Sequence, residues 1–142
     1  MGPQVGDRLP SREVASVDVG RMKTMAALLR DPNPIHFDVQ AVRAAGLGDR
    51  PVNQGPSNLG YIVNLLLDWV GGPAVIRSLR TRFIGNVYAG DRLVAGGEVV
   101  EVVDDAEGML VTCAVWLDRI DGTRLVAGHA TVHVSGGAKR RE

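Results

Sequence analysis

The spacing of hydrophobic positions predicts helices in the first half of the chain. Apolar residues recur at helical spacing over one stretch, at Val19, Met22, Ala26 and Leu29. They predict a helix over Val19–Leu29, which ends before the first of two closely spaced prolines. A second helix is predicted to begin with Asn33 as its N-cap and Pro34 in its first turn, and to run towards Ala45. A short strand is expected ahead of both helices, around Arg12 to Val17.

The segment Gly55 to Val70 is the most informative part of the chain. One wide stripe is formed by Leu59, Ile62, Val63, Leu66, Leu67 and Val70. Tyr61, Leu65 and Trp69 add apolar bulk to the remaining surface. A helix that is apolar nearly all round is normally buried, and this one is shorter than the ~20 residues that a membrane span requires. We therefore expect the rest of the fold to wrap around a central helix over these residues.

The pattern changes to strands in the second half of the chain. Four strands are predicted, over Val75 to Ile84, Asp91 to Val103, Met109 to Asp118 and Thr123 to Val134. Short connections favour antiparallel neighbours, and Asp121-Gly122 between the last two strands is typical of a tight primed turn. Long antiparallel strands that follow one buried helix indicate an α+β fold.

Length and composition restrict the class of protein. The chain has 142 residues, of which 45% are hydrophobic and 23% charged, as in an ordinary globular domain. We expect one domain over residues 1–135, followed by a tail over residues 136–142 that is predicted to be disordered. Sixteen basic residues balance sixteen acidic ones and only 4% of residues are aromatic, which argues against a nucleic-acid partner. No apolar run is long enough for a membrane span and no signal pattern is evident, so the expected location is the cytoplasm.

The cysteine and the last two histidines do not suggest a metal site. Cys113 is the only cysteine and lies among apolar strand residues, so we interpret it as a small buried hydrophobic residue and not as a nucleophile. His129 and His133 are four residues apart on a predicted strand, which separates them by roughly 13 Å and prevents them from sharing one ion. No metal or redox cofactor is predicted.

Candidate chemistry is concentrated in the segment Asp31-Pro-Asn-Pro-Ile-His36. A carboxylate and an imidazole stand five residues apart on a chain that two prolines stiffen. Such a pair can hold one water molecule and exchange protons with it. A purely structural interpretation also exists, in which Asp31 only ends one helix and Asn33 only caps the next.

This segment resembles the hydratase motif of the MaoC-like family, which comprises (R)-specific enoyl-CoA hydratases and related 3-hydroxyacyl-thioester dehydratases. The family pattern is Asp, any residue, Asn-Pro, an aliphatic residue and His, and every position fits. Further similar segments are Val5-Gly6-Asp7, Arg82-Phe83 and Val87-Tyr88-Ala89-Gly90-Asp91-Arg92-Leu93. The resemblance implies the hot-dog fold, an antiparallel sheet wrapped around a long central helix, which agrees with the helix expected over Gly55 to Val70.

The resemblance also implies roles for individual residues. Asp31 and His36 would be the catalytic pair that holds a water molecule while a trans-2-enoyl-CoA is hydrated to the (R)-3-hydroxyacyl-CoA, with the acid and the base unassigned. Asn33 would shape the loop and orient the pair. The backbone N–H of Gly55 would face the thioester oxygen, since a helix N-terminus favours negative charge. Many relatives have His-Gly at this point, whereas this chain has Gln54 before the glycine, and glutamine cannot take over a protonic role.

The expected partner is an acyl thioester, of which coenzyme A or an acyl carrier is a part. A local basic cluster is formed by Arg77, Arg80 and Arg82. These residues would either contact the phosphates of coenzyme A or only form a solvent-exposed strand face. A homodimer or higher oligomer is expected, because hot-dog sheets usually pair edge to edge, and a heterodimer is the alternative. The acyl group could belong to fatty-acid or steroid side-chain metabolism. Two other functions stay open: a 3-hydroxyacyl-carrier-protein dehydratase of fatty-acid or polyketide synthesis, and a non-catalytic accessory subunit of a heteromeric hydratase.

Overall fold

The computed structural model describes residues 2–70 and 74–135. The elements are strand β1 (Arg12–Val14), helices α1 (Val19–Leu29), α2 (Val39–Ala44) and α3 (Gly55–Val70), and strands β2 (Ala74–Phe83), β3 (Leu93–Asp105), β4 (Gly108–Arg119) and β5 (Arg124–Ser135). The predicted helices α1 and α3 are confirmed residue for residue, and the four long strands agree with the prediction to within two residues at each end. The tail predicted to be disordered, residues 136–142, lies outside the described residues.

All five strands belong to one antiparallel sheet, in the order β1-β3-β4-β5-β2. Each long strand alternates between the two faces of the sheet; in β4 the residues that point into the core are Val111, Cys113, Val115 and Leu117. The helix α3 packs on this inner face, in contact with β2, β3 and β4. The α+β prediction, an antiparallel sheet around a central helix, is therefore confirmed.

The helix α3 buries one face rather than its whole circumference. Ile62, Leu65 and Leu66 are fully buried against the sheet, and each side chain contributes about 1.5–3 kcal/mol through its burial. Leu67 is 49% exposed, although it belongs to the predicted apolar stripe. The prediction of a helix buried on nearly all sides is therefore wrong for the single chain, because the sheet covers α3 from one side.

The segment after α1 forms two short helical pieces instead of the one helix that the sequence predicted. Residues Pro34–His36 form a single 3-10 turn, which ends at Phe37 with a φ of −150° and a ψ of −9°, outside the helical region. Asp38 then caps α2 by accepting a hydrogen bond from the Gln40 N–H at 2.9 Å. The predicted continuous helix is wrong, because this second cap starts a new helix within a few residues of the first. The strand β1 is also shorter than predicted and ends at Val14.

The hairpin between β4 and β5 uses a different turn from the predicted one. Gly122 has a φ of +93°, whereas Asp121 does not have a positive φ, so the type I′ turn is excluded. The Gly122 N–H donates to the Arg119 carbonyl, and the Arg119 N–H donates to the Thr123 carbonyl, both at 2.8 Å. These bonds enclose a loop over residues 120–122 in which glycine takes the left-handed position of a bulged hairpin.

Candidate active site

The C-terminal end of α1 sets the position of Asp31. Arg30 follows the helix in the left-handed conformation, with a φ of 51°, which costs a non-glycine residue about 1–2 kcal/mol. Its N–H nevertheless caps α1 by donating to the carbonyls of Ala26 and Ala27. The Asp31 N–H also donates to the Ala26 carbonyl, at 3.0 Å. The chain therefore leaves α1 through one strained residue that directs Asp31 towards the 3-10 turn.

The structure brings Asp31 and His36 together. Asp31 Oδ2 lies 3.3 Å from His36 Nε2, with the histidine side chain 10% exposed and the aspartate side chain 33% exposed. The other carboxylate oxygen, Oδ1, accepts a hydrogen bond from the Asn33 N–H at 3.0 Å. An open cavity of about 510 Å³ borders Asp31. Its other lining residues are Lys23, Ala26, Ala27 and Phe37. A small ligand can therefore reach the carboxylate while the imidazole stays largely shielded from solvent.

The second ring nitrogen of His36 determines what the first can do. Nδ1 lies 2.6 Å from the carbonyl oxygen of Val52. A carbonyl oxygen can only accept, so Nδ1 carries the proton and Nε2 of the neutral ring has the lone pair. This lone pair faces the Asp31 carboxylate, which is also an acceptor. A water molecule that donates one hydrogen to each acceptor satisfies both, and the same geometry suits removal of a proton from that water.

Val52 is itself held on two sides. Its carbonyl accepts from His36 and its N–H donates to the Ile35 carbonyl at 2.9 Å, so the 3-10 turn and the segment before α3 are joined at two points. On either side of Val52 the backbone pairs with the segment just before β3. The Ala89 N–H donates to the Pro51 carbonyl, and the Asn53 N–H donates to the Val87 carbonyl. The His36 ring is therefore supported by a short backbone pairing on each side of Val52.

A buried carboxylate, Asp91, secures this pairing. Asp91 is 5% exposed and accepts hydrogen bonds from Arg50 at 3.0 Å, from the Tyr88 N–H at 2.9 Å and from Arg119 at 3.3 Å. Arg50 also donates to the Ala89 carbonyl at 3.0 Å, which links the carboxylate to the segment beside Val52. We call Arg50, Asp91 and Arg119 the Asp91 clamp. The sequence did not predict this clamp, because its three residues lie far apart in the chain. Its only local sign was the dipeptide Gly90-Asp91, which resembles the family pattern.

Gly55 is the first residue of α3 and follows Val52 by three positions. Its N–H has no acceptor among the described residues, as is usual in the first turn of a helix. A Cβ added to Gly55 would lie 3.3 Å from Cζ of Phe83, so the aromatic ring closely approaches the glycine. The free N–H at the positive end of α3 is suited to a developing oxyanion.

Asn33 and Gln54 bond to backbone groups beside the pair. The Asn33 side chain accepts a hydrogen bond from the Ile35 N–H at 3.3 Å and so caps the 3-10 turn. Gln54 is 1% exposed and donates from Nε2 to the Met22 carbonyl at 2.8 Å, which ties α1 to the start of α3. Its Oε1 has no hydrogen-bond partner within the described part of the chain. In this structure Gln54 therefore joins two helices and takes no part in the contact between Asp31 and His36.

The structure separates the three arginines that were predicted as one cluster. Arg77 is the extra residue of a β-bulge in β2. Arg80 and Arg82 follow it in regular pairing, opposite His129 and Ala127 of β5. Only these two of the three line a groove on the face of the sheet away from α3.

The remaining candidates lie elsewhere in the sheet. Cys113 is fully buried in the core, and burial raises the pKa of its thiol to about 11, which confirms its interpretation as a buried hydrophobic residue. His133 is buried next to Asp105, and His129 is exposed. Across residues 2–70 and 74–135, no group of three or more His, Cys, Asp or Glu side chains is arranged to hold a metal ion.

Comparison with known proteins decides the family. Residues 4–117 match the MaoC-like domain family. The chain belongs to the MaoC-like family. A search of curated protein sequences finds no match. No helix of this MaoC-like chain within residues 2–70 and 74–135 is long and apolar enough to cross a membrane.

Several solved structures share the fold of this chain. The (R)-hydratase of A. caviae that is involved in PHA biosynthesis has a TM-score of 0.82 and 22% identity, over 93% of this chain and 97% of that one. The ChsH1–ChsH2 complex of Mycobacterium tuberculosis has a TM-score of 0.78 and 25% identity, over 92% and 98%. The HadBC (3R)-hydroxyacyl-ACP dehydratase complex of the same organism has a TM-score of 0.73 and 21% identity, over 90% and 96%. The predicted hot-dog fold is therefore confirmed, and the chain falls among hydratases and dehydratases.

Proposed function

We propose that this MaoC-like protein is a hydro-lyase that adds water reversibly to a trans-2-enoyl thioester and forms the (R)-3-hydroxyacyl thioester. The observation that carries the proposal is the arrangement of His36, whose Nδ1 donates to the Val52 carbonyl while Nε2 faces the Asp31 carboxylate. This tautomer makes Nε2 the atom that accepts a proton. His36 is accordingly the base, and Asp31 orients the water and stabilises the imidazolium.

The proposed step balances without any co-reactant. One O–H bond of the water breaks as its proton moves to His36 Nε2, and the oxygen bonds to C3 of the enoyl group. The C2–C3 π electrons move towards the thioester carbonyl, whose oxygen becomes negative near the free N–H of Gly55. The imidazolium then returns the proton to C2. The reaction has no net change in oxidation state, so it needs no redox cofactor. Since His36 moves the proton and the Gly55 N–H faces the developing negative charge, we propose no metal either.

The thioester carrier is proposed to be coenzyme A. The alternative is an acyl carrier protein, and it has the support of one structural neighbour, the HadBC (3R)-hydroxyacyl-ACP dehydratase. The same Asp31–His36 pair would serve either carrier, because only the distal part of the substrate differs.

We also propose that the working form has at least two subunits. Leu67 near the end of α3, Phe83 at the end of β2 and Ile84 just after it are each about half exposed in the single chain, at 49%, 54% and 54%. A second subunit would remove this apolar area from water. A partner chain of different sequence is the alternative, because the ChsH1–ChsH2 and HadBC neighbours are complexes of two kinds of chain.

The test is the activity of the isolated protein on a series of enoyl-CoA chain lengths, with its native mass measured alongside. We expect water addition by the wild type and loss of activity in Asp31→Asn, which keeps the size of the side chain but removes its charge. Wild-type rates in Asp31→Asn and in His36→Ala would refute the assignment. A wild-type chain that is inactive alone, and whose two variants leave a reconstituted complex fully active, would instead be an accessory subunit.

A further inference from the structure

Gln54 is a buried polar residue to which the proposed proton transfer assigns no role. Its backbone carbonyl accepts a hydrogen bond from the Asn58 N–H at 3.1 Å, which makes Gln54 the N-cap residue of α3. Its side chain is fully buried, and Oε1 has no hydrogen-bond partner among the described residues. Burial of an amide that keeps only part of its hydrogen bonds destabilises a protein, so this side chain calls for a physical explanation.

The side chain of Gln54 does not cap its own helix. An N-cap side chain usually accepts a hydrogen bond from an N–H in the first helical turn. The Gln54 amide points the other way, and its Nε2 donates to the Met22 carbonyl of α1 at 2.8 Å. In the described part of the chain the N–H groups of Gly55 and Ser57 have no acceptor, and Pro56 between them has no N–H. This orientation leaves the start of α3 free for a negatively charged substrate atom.

Two neighbouring amides behave differently from Gln54. Asn53 and Asn58 are also buried, and Asn53 Nδ2 donates to Asn58 Oδ1 at 2.8 Å. This hydrogen bond stays within the segment that begins α3, so it stabilises that segment locally. The Gln54 amide instead reaches a different helix, which allows it to determine how two elements are placed against each other.

The hydrogen bond to Met22 joins the start of α3 to the helix that carries Asp31. Met22 lies one turn before Ala26 on α1. The Ala26 carbonyl accepts a hydrogen bond from the Asp31 N–H at 3.0 Å. Within the residues that the structure describes, no other hydrogen bond joins α1 to the start of α3. Gln54 therefore connects the Asp31 side of the site to Gly55, its next neighbour in the chain.

The proposed reaction depends on the distance between these two ends of the site. The conjugated C1–C3 unit of an enoyl thioester is planar and stiff, so the substrate itself fixes the separation between C3 and the carbonyl oxygen. The water held by Asp31 and His36 has to meet C3 while the Gly55 N–H meets the oxygen. The substrate cannot adapt to a shift of α1 against α3, and a misplacement of about 1 Å lowers a rate by about 10²-fold.

We propose that Gln54 is a positioning residue, whose amide fixes α1 against the start of α3 and so sets the distance from the Asp31-bound water to the Gly55 N–H. The inference rests on the proposed hydratase function and adds a residue to its machinery. Gln54 does not touch the substrate in this assignment. It acts through two backbone groups, the Met22 carbonyl and the N–H of Gly55.

The first test is the Gln54→Met variant of the whole protein. Methionine keeps the length of the side chain and removes the donor to Met22 together with the unpartnered Oε1. We expect kcat for an enoyl-CoA to fall about tenfold or more with KM nearly unchanged, because the misplacement weakens contacts made in the transition state. The urea midpoint of unfolding should stay close to that of the wild type, because a helix carbonyl such as that of Met22 also accepts the N–H four residues on. A lower midpoint with an unchanged kcat would show a purely structural role and overturn the inference.

Two further variants serve as controls for this experiment. The ring N–H of Gln54→His can reach the Met22 carbonyl from a similar distance, so this variant should recover most of the rate that Gln54→Met loses. A rate in Gln54→His no higher than that in Gln54→Met would contradict the role of the donor. Thr112→Val removes a side-chain hydrogen bond to Thr131 on the face of the sheet away from α3, and its kcat should stay within about twofold of the wild type.

The absorbance of a bound substrate reports directly on the Gly55 end of the site. The absorption band of a 2,4-dienoyl-CoA moves to longer wavelength when an N–H polarises its carbonyl, and this shift should be smaller in Gln54→Met than in the wild type. An equal shift in both proteins would overturn the positioning role and leave the hydratase function standing. If the wild type in its native assembly turns over no enoyl thioester, the proposed function fails and the inference fails with it.

Discussion

Two histidine–aspartate pairs in this chain are nearly identical by distance and burial. His36 Nε2 lies 3.3 Å from Asp31, with side-chain exposures of 10% and 33%. His133 Nε2 lies 3.2 Å from Asp105, with exposures of 8% and 36%. By the usual measures of a candidate acid–base pair, neither stands out from the other.

The surroundings of the two pairs differ. The Nδ1 of His36 is bound to Val52, and three residues later the free N–H of Gly55 starts α3. His133 lies on β5 between Leu110 and Val75 of the neighbouring strands, and the described residues provide no partner for its Nδ1. The lesson is that an imidazole and a carboxylate in contact do not define an acid–base site. A fixed tautomer, an approach for the substrate and a donor for the developing charge are also required.

Asp105, the carboxylate of the second pair, takes part in a turn. Its Oδ1 accepts a hydrogen bond from the Glu107 N–H at 2.9 Å, within the connection from β3 to β4. This backbone hydrogen bond is the main reason that the pKa of Asp105 lies below its ordinary value of 3.8, and His133 lowers it further. The pair therefore closes the end of a hairpin, and its carboxylate stays ionised at neutral pH.

The largest expected effect comes from removing each imidazole in turn. His36→Gln should lower kcat for an enoyl-CoA by about 10²–10⁴-fold, because the base is lost. His133→Gln should stay within about twofold of the wild type, because its pair takes no part in proton transfer. Steady-state kinetics of the two variants under one set of conditions provide the measurement. Equal losses in both variants would remove the distinction drawn between the pairs.

A smaller effect is expected from loosening the Asp91 clamp. Arg50→Ala removes the donor to Asp91 and to the Ala89 carbonyl, so the segment that holds Val52 becomes less fixed. We expect kcat to fall about tenfold through misplacement of His36, with little change in KM. The ring-nitrogen NMR signals of His36 should shift, while those of His133 in the same spectrum should not.

Arg50→Lys serves as the matched variant for this experiment. Lysine keeps the positive charge beside Asp91 and should restore part of the rate. Unchanged His36 signals together with an unchanged rate in Arg50→Ala would show that the clamp does not position the imidazole.

Loss of the His133–Asp105 pair should lower the stability of the protein and not its catalytic rate. His133→Gln removes a buried ring and its contact with Asp105, so the free energy of unfolding should fall by about 1 kcal/mol. Denaturant unfolding monitored by circular dichroism provides the measurement. A stability equal to that of the wild type would mean that the His133–Asp105 contact contributes nothing to the fold.

The smallest effect concerns the pH dependence of Asp105. A carboxyl group whose pKa is lowered by folding stabilises the protein above its unfolded pKa, and this contribution disappears as the pH falls through the folded pKa. The wild type should therefore melt slightly above Asp105→Asn at pH 7, and the difference should shrink as the pH falls below 3.8. Asp104→Asn, a change at the exposed neighbouring position, is the control and should show no such trend. A difference that persists unchanged at low pH would contradict the ionised role of Asp105.

Much of the fold was predictable because its signals are local. The helices α1 and α3 are specified by apolar spacing, and the long strands by alternation, both of which act over a few residues. The turns were less predictable. The break at Phe37 and the bulged loop at Gly122 depend on which of several weak capping and turn preferences prevails in context.

The candidate site, like the fold, was only partly predictable from the sequence. Asp31, Asn33 and His36 fall within six residues, so their sequence alone identified the segment that carries chemistry. Their spacing could not reveal that His36 donates to Val52, because this contact is made sixteen residues away. Nor could it separate Arg77 from Arg80 and Arg82, since the bulge that does so arises from the pairing of β2 with β5.

The amino-acid pattern was sufficient for the class of fold, the central helix and the residues most suited to proton transfer, because each depends on interactions between near neighbours in the chain. The tautomer of His36, the support that Asp91 gives to Val52 and the groove behind the sheet depend on contacts between distant segments. Hydrogen-bond direction and charge convergence exist only once those segments have packed together. For this reason the two histidine–aspartate pairs could be told apart only in the folded chain.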